Sequence, residues 1–265
     1  AQLALSFNQM AAHLEQTETM RRQLIGDVTH ELRTPLTLIQ GYASLLGSIV
    51  KENKDASDLI QGIVTGERRL LDVVNNMVDV SKIDNQALLV RKSAISVYLI
   101  VKIVHNEFKV ALQERKILLS VTELEGLPDI QADPELLGKM FRQMIGNAIK
   151  YTPDGGSITI QGKKLCASEA GWDGKEAVEI EIIDTGIGID PAYHEVIFDK
   201  FYQMGPVELH SSGKTKFKGG GPGLGLAIAR GIAQAHGGRI WVESPGHNEE
   251  TFPGSRFHVL LPVGN

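Results

Sequence analysis

The chain has 265 residues, 42% hydrophobic and 22% charged, which suits a globular protein of one or two domains. A formal charge of −5 speaks against a nucleic-acid partner, because duplex binders present a basic face. Cys166 is the only cysteine, so neither an internal disulfide nor a cysteine-built zinc site can form, and a reducing cytosol is the expected compartment.

No run approaches the ~18 consecutive apolar residues of a membrane span, and no signal peptide is visible. The chain opens inside a helical pattern without a methionine. That reads as a piece of a longer protein, with a membrane anchor as one candidate for the rest.

Residues 1 to about 86 read as long helices. Leu3, Phe7, Met10 and Leu14 alternate four- and three-residue steps, and Leu24 and Val28 resume the phase of a coiled-coil seam. Thr17 and Arg21 interrupt it. The polar run Val50–Ser57 is expected to connect two helices. Ile63, Leu70, Val73, Met77 and Val80 then form a second stripe, widened by Leu71, Val74 and Val78. Two helices cannot close a core alone, so pairing two hairpins into a four-helix homodimer is expected.

From about Leu88 the period changes. Strands are predicted at Ile117–Val121, Ser157–Gln161, Val178–Ile183, Arg239–Val242 and Phe257–Leu261, and helices at Val97–Glu114, Pro134–Tyr151 and Leu224–His236. Asp133-Pro134 supplies an N-cap acceptor followed by proline in the first turn. Mixed strands and helices predict a two-layer α/β sandwich.

The densest chemical signal is Thr29-His30-Glu31-Leu32-Arg33-Thr34-Pro35-Leu36. His30 falls outside the seam and should face solvent. Pro35 removes the N–H that would bond the Glu31 carbonyl, so the helix should bend beyond the histidine. Glu31 is placed to accept from Nδ1, which would leave Nε2 as the nucleophile. A solvated surface histidine is the bland alternative.

A second set is dispersed. Asn147-Ala148-Ile149-Lys150-Tyr151-Thr152 ends a helix, Asp184-Thr185-Gly186-Ile187-Gly188 leaves the strongest strand, and Gly219–Leu226 runs glycine-rich into a helix. Glycines at a helix N-terminus let backbone N–H groups approach phosphate oxygens. Each piece alone is weak; their order carries the weight. A P-loop is excluded, because the first glycine required before Gly213-Lys214-Thr215 falls on Glu208, and no G-x-G-x-x-G fits the cluster.

These segments resemble the sensor histidine kinases of two-component systems. His30–Pro35 matches their histidine box, and Asn147–Pro153 is similar to the asparagine box. Asp184–Gly188 is similar to the first glycine box, Phe198–Tyr202 to the phenylalanine box, and Gly221-Pro222-Gly223-Leu224-Gly225-Leu226 to the second glycine box. Leu5–Ala11 resembles, more weakly, the last helix of a HAMP signal relay.

The resemblance implies a helical-hairpin dimerisation bundle, four-helix in the dimer, followed by a Bergerat-type α/β sandwich shared with type II topoisomerase and chaperone ATPases. The corresponding divisions are residues 1–18 as the end of a HAMP-like helix, 19–87 for dimerisation and phosphotransfer, and 88–265 for ATP binding. His30 would accept phosphate from ATP with Glu31 assisting, and pass it to an aspartate on a response-regulator receiver domain. Thr34 would serve dephosphorylation of that regulator. Asp184 would meet the adenine amino group, Lys150 phosphate, and Tyr151 the base. Asn147, together with Gln143, would hold Mg²⁺. Gly186, Gly188, Gly221, Gly223, Leu224 and Gly225 would form hinges and phosphate contacts, with Phe198 and Phe201 anchoring a lid. The full-length protein would be a sensor anchored in the inner or plasma membrane, with this portion in the cytoplasm.

Three departures stand out: Gln143 where the family often has asparagine, Pro222 in place of a threonine or serine, and a long stretch between Tyr202 and Gly219 ending in Lys214, Lys216 and Lys218. Those lysines either neutralise phosphate or only solvate a loop. Two rivals stay open: an ATP hydrolase of the same fold without the His30 reaction, and a dimer scaffold whose nucleotide site has decayed.

Overall fold

The computed structural model describes residues 32, 36, 37, 39–50, 54–166, 176–203, 217, 218 and 222–264. The chain divides into two compact units at residues 85 and 86. The coiled-coil stripe of residues 3–28 lies outside the described residues.

In the first unit, residues 39–49 form helix α1 and Lys54–Asp84 form α2. The connection is therefore shorter than the polar run suggested: Lys54, Asp55, Ala56 and Ser57 belong to α2. Asp55 in the first turn complements the helix dipole there. The two helices approach closely enough that a Cβ on Gly47 would stand 3.7 Å from Ile60. Leu36, Ala43, Val74 and Val80 are buried, yet Leu45, Leu46, Ile49, Leu59, Ile63 and Leu70 stay exposed in the single chain. That apolar surface exceeds what one hairpin can cover.

The second unit holds β1 (Ser93–Ile95), α3 (Val97–Glu114), β2 (Leu118–Thr122), β3 (Ile130–Ala132), α4 (Pro134–Tyr151), β4 (Ser157–Leu165), β5 (Ala177–Asp184), α5 (Gly225–Ala235), β6 (Arg239–Glu243) and β7 (Ser255–Pro262). Two short 3-10 turns, Pro191–Tyr193 and Val196–Phe198, follow β5. The main sheet runs β2-β4-β5-β7-β6, parallel only between β2 and β4. β1 and β3 form a separate antiparallel pair.

Alternation sorts the strands into two faces. Ile158 and Ile160, Val178, Ile180 and Ile182, Val242, Phe257 and Val259 are all buried. The helical layer supplies Phe141, Met144, Ile145 and Ile149 of α4 with Ile228 and Ile232 of α5. The predicted two-layer sandwich is what forms. α4 starts as its sequence dictates, with Asp133 accepting from the N–H groups of Glu135 and Leu136 and Pro134 in the first turn.

Candidate functional site

The candidate residues of the second unit converge where α4 ends, β5 ends and α5 begins. Asn147, Lys150 and Tyr151 occupy the last two turns of α4. The Asn147 side chain is half-buried and makes no hydrogen bond among the described residues. One turn earlier on the same face, Gln143 reaches the start of α5: a Cβ on Gly225 would lie 2.8 Å from its Oε1. The N-cap position of α5 is Leu224, fully buried and without a side-chain acceptor. The N-cap residue thus offers no side-chain acceptor to the first N–H groups of α5, whose positive helix end suits an anion.

Asp184 closes β5 with its carboxyl buried at 5% exposure. Oδ1 accepts from the Gly186 N–H at 2.9 Å. Burial pushes its pKa up to about 7, against the pull of the Gly186 and Ser255 N–H groups. A buried carboxyl with spare acceptor capacity can recognise an exocyclic amine.

The loop leaving Asp184 is stitched to α4. The Ile187 N–H donates to the Tyr151 carbonyl at 3.2 Å, and a Cβ on Gly186 would stand 2.5 Å from that same oxygen. Gly188 has φ +72°, and a Cβ there would overlap the Gly246 carbonyl. Only glycine fits at both positions, the first by close approach and the second also by backbone conformation.

Phe198 is 4% exposed and packs edge-on against Phe257 at 6.4 Å, with the Arg230 guanidinium over its ring. Phe201 is held differently from Phe198. Its side chain is 52% exposed, and its attachment is through the backbone, whose N–H donates to the Gly223 carbonyl at 2.9 Å. Gly223 in turn has φ +70°, and a Cβ on it would come within 2.5 Å of the Tyr202 carbonyl. Lys150 folds its ammonium over the Tyr151 ring at 4.7 Å. Lys218, the one lysine of its trio among the described residues, donates its backbone N–H to the Lys150 carbonyl and pairs its ammonium with Glu249. His30, Glu31, Thr34 and Gly221 lie outside the described residues.

Two supporting residues carried no sequence signal. Arg115 is buried and donates to the carbonyls of Ile149 (2.6 Å) and Thr152 (2.7 Å) and to Asp154 (2.7 Å), so it closes the C-terminus of the helix that carries Asn147 and Lys150. His236, just past α5, accepts from the Asp133 N–H at the other end of α4. Partners so distant in sequence leave no local pattern.

An amide-bearing helix face, an uncapped helix end and a buried carboxyl can together hold an adenine nucleotide. The amide oxygens of Asn147 and Gln143 also fit a hard cation, which takes oxygen ligands.

Comparison with known proteins agrees. Residues 132–265 match the histidine kinase-, DNA gyrase B-, and HSP90-like ATPase family, and residues 20–86 match the His Kinase A (phospho-acceptor) domain. The sensor histidine kinase WalK of Bacillus subtilis (strain 168) is 31% identical over 235 residues, covering 87% of this chain and 35% of that protein. The chain thus spans about a third of that relative's length. Full-length ShkA, crystallised with AMPPNP, has the same fold at a TM-score of 0.71 and 23% identity, over 91% of this chain and 45% of that one. The histidine kinase ThkA, crystallised in complex with the response regulator protein TrrA, aligns at a TM-score of 0.56 and 21% identity, over 91% and 61%. The chain belongs to the sensor histidine kinases of two-component systems.

Proposed function

We propose that this chain is a kinase core that transfers the γ-phosphoryl group of ATP to His30 and from there to an aspartate of a response regulator. The observation that carries the nucleotide half is the uncapped start of α5 set beside Gln143 of α4, with the buried carboxyl of Asp184 at the end of β5. Phosphoryl transfer asks little of a protein beyond positioning and charge neutralisation, and this arrangement offers both.

Asp184 takes the adenine amino group and Tyr151 flanks the base. Lys150 and the N–H groups at Gly223, Leu224 and Gly225 hold phosphate oxygens, with Gly221 adding room for close approach. Gly186 and Gly188 fix the loop that aims Asp184, and Phe198 and Phe201 moor the segment that closes over the nucleotide. Mg²⁺, when bound, offsets triphosphate charge, and the amide oxygens of Asn147 and Gln143 are the groups that would hold it.

Nε2 of His30 attacks the γ-phosphorus in line as the bond to the ADP oxygen breaks. Glu31 orients the ring and receives the proton released from Nδ1. Thr34, one turn beyond, serves the reverse chore of regulator dephosphorylation. The exposed stripe of α1 and α2 fits pairing with a second copy. Among the described residues no helix is long and apolar enough to cross a membrane. A HAMP-like start at residues 1–18, a phosphotransfer unit at 19–87, an ATP-binding unit at 88–265 and a membrane anchor upstream complete the reading.

The test is incubation with γ-labelled ATP and Mg²⁺, beside His30→Gln. Acid-labile, alkali-stable label that is lost in the variant supports the reading. Steady phosphate release without labelled protein would instead show an ATP hydrolase.

A further inference from the structure

The face of the main sheet opposite the helices carries a cluster that nucleotide chemistry does not use. Glu179 and Glu181 lie two residues apart on β5, and His258 of β7 stands directly across from Glu181. All three are buried, at 6%, 5% and 5% exposure. His258 Nδ1 lies 2.8 Å from Glu179 Oε1 and 3.7 Å from Glu181 Oε1. One ligand atom from each residue falls within 4.8 Å of the other two.

Around them stands a supporting ring. Gln161 Nε2 donates to Glu181 Oε2 at 2.8 Å, and Arg256 donates to the same oxygen at 3.2 Å. Trp241 stacks on the imidazole at 4.7 Å, nearly parallel. The Lys163 ammonium sits against both carboxylates, 3.0 Å from Glu179 and 3.7 Å from Glu181. Its side chain is 55% exposed, whereas those of Glu179 and Glu181 are 8% and 7% exposed.

One atom is left over. His258 Nε2 is buried and has no hydrogen-bond partner; the Glu243 carboxylate stands 3.6 Å away. A neutral ring that donates from Nδ1 to Glu179 must leave Nε2 as a buried bare acceptor, which is costly. A cation on Nδ1 reverses the tautomer: Nε2 then carries the hydrogen, and Glu243 is there to receive it. Metal-bound histidines are held in this way by an outer carboxylate.

We propose that Glu179, Glu181 and His258 form a binding site for a divalent cation of the zinc class, entered by displacing the Lys163 ammonium into solvent. A tetrahedral ion with ligands at ~2.0–2.2 Å spaces them roughly 3.3–3.6 Å apart, a small adjustment from the 2.8 Å and 3.7 Å that separate His258 Nδ1 from the two carboxylates. Imidazole with two carboxylates suits zinc and its neighbours rather than magnesium or calcium, which prefer all-oxygen sets. The rival occupant is a proton, since an imidazolium would donate from both nitrogens.

The probe is Co²⁺ or Zn²⁺ alone, added to chelator-treated chain without nucleotide. One equivalent of Co²⁺ should give the intense visible bands of four-coordinate cobalt, and Zn²⁺ should displace it. Glu179→Gln and His258→Gln should each weaken binding at least about tenfold. Lys163→Met should tighten it, because a competitor is removed, and this variant keeps all three ligands should His258→Gln fail to fold. Absence of the bands, or binding that the ligand variants leave unchanged, overturns the proposal. So does weaker binding in Lys163→Met, which would mark the cluster as an ion-pair and proton network only. None of these readouts depends on kinase activity.

Discussion

The His236 imidazole accepts a hydrogen bond from the backbone N–H of Asp133 at 3.0 Å while its Nδ1 faces the Ile232 carbonyl at 2.8 Å. The ring therefore joins the N-cap of α4 to the last turn of α5 and must be neutral to do so. Burial pushes its pKa below the usual value, with the Asp133 charge pulling the other way. Its contribution is complete above the unfolded pKa of about 6.5 and is lost as pH falls toward the lower folded value. Stability should drop as pH falls below about 6.5. His236→Gln, which keeps an acceptor but cannot titrate, should flatten that slope in thermal melts. His236→Leu should cost about 1–3 kcal/mol at pH 7.5, because the Asp133 N–H is then buried without a partner.

Asp184 has the opposite sign. With a pKa raised from 3.8 to about 7, its neutral form is favoured in the folded state, and the gain fades as pH rises through 7. Asp184→Asn should melt hotter than the parent at pH 8, by up to on the order of 4 kcal/mol in stability, and the gap should narrow as pH falls below 7 and close only below the unfolded value of 3.8. The same change should weaken ATP-analogue binding about 10- to 150-fold, since it removes a charged acceptor. Titration calorimetry at pH 8 checks this. A variant that binds normally would take Asp184 out of adenine recognition.

Arg115 should matter to nucleotide binding without touching nucleotide. Arg115→Met strands the carbonyls of Ile149 and Thr152 and should cost roughly 2–4 kcal/mol in urea unfolding. Under conditions where the variant stays folded, the KM for ATP should rise more than kcat falls. Arg115→Lys, which reaches fewer acceptors than the guanidinium fork, should fall between.

Glycines at the site should separate into two kinds. Gly188→Ala meets both a positive φ and the Gly246 carbonyl, and should destabilise by roughly 2–4 kcal/mol. Gly225→Ala meets only the end of the flexible Gln143 side chain. It should leave the melting temperature within a few degrees while weakening Mg²⁺-dependent ATP binding, as seen by comparing melts with analogue titrations.

Much of the fold was legible. α3 and α4 span the predicted residues because an Asp-Pro start and clean apolar periods set α4, and the same periodicity sets α3. β4 continues past the predicted Gln161 to Leu165, because Gly162 reads as a stop. In the sheet that glycine is a point of close approach, where a Cβ would overlap Leu124. β1 and β3 escaped notice, since three residues are too few to show alternation. Asp184, Asn147 and the glycines stand in recognisable local strings. Arg115 and His236 act through carbonyls and N–H groups 34 to 103 residues away, and no local string can encode that.

The Lys150 and Tyr151 carbonyls at the end of α4 are taken by two different segments, Lys218 on one side and the loop after Asp184 on the other. Whatever steadies one of those segments also steadies the helix end on which the other must settle. If Asp184 grips the base as proposed, that ligand lowers the entropy still to be lost in forming the Lys218–Lys150 backbone bond. On the roles proposed above, recognition of the base and enclosure of the phosphates should be one cooperative event, joined through two adjacent peptide oxygens.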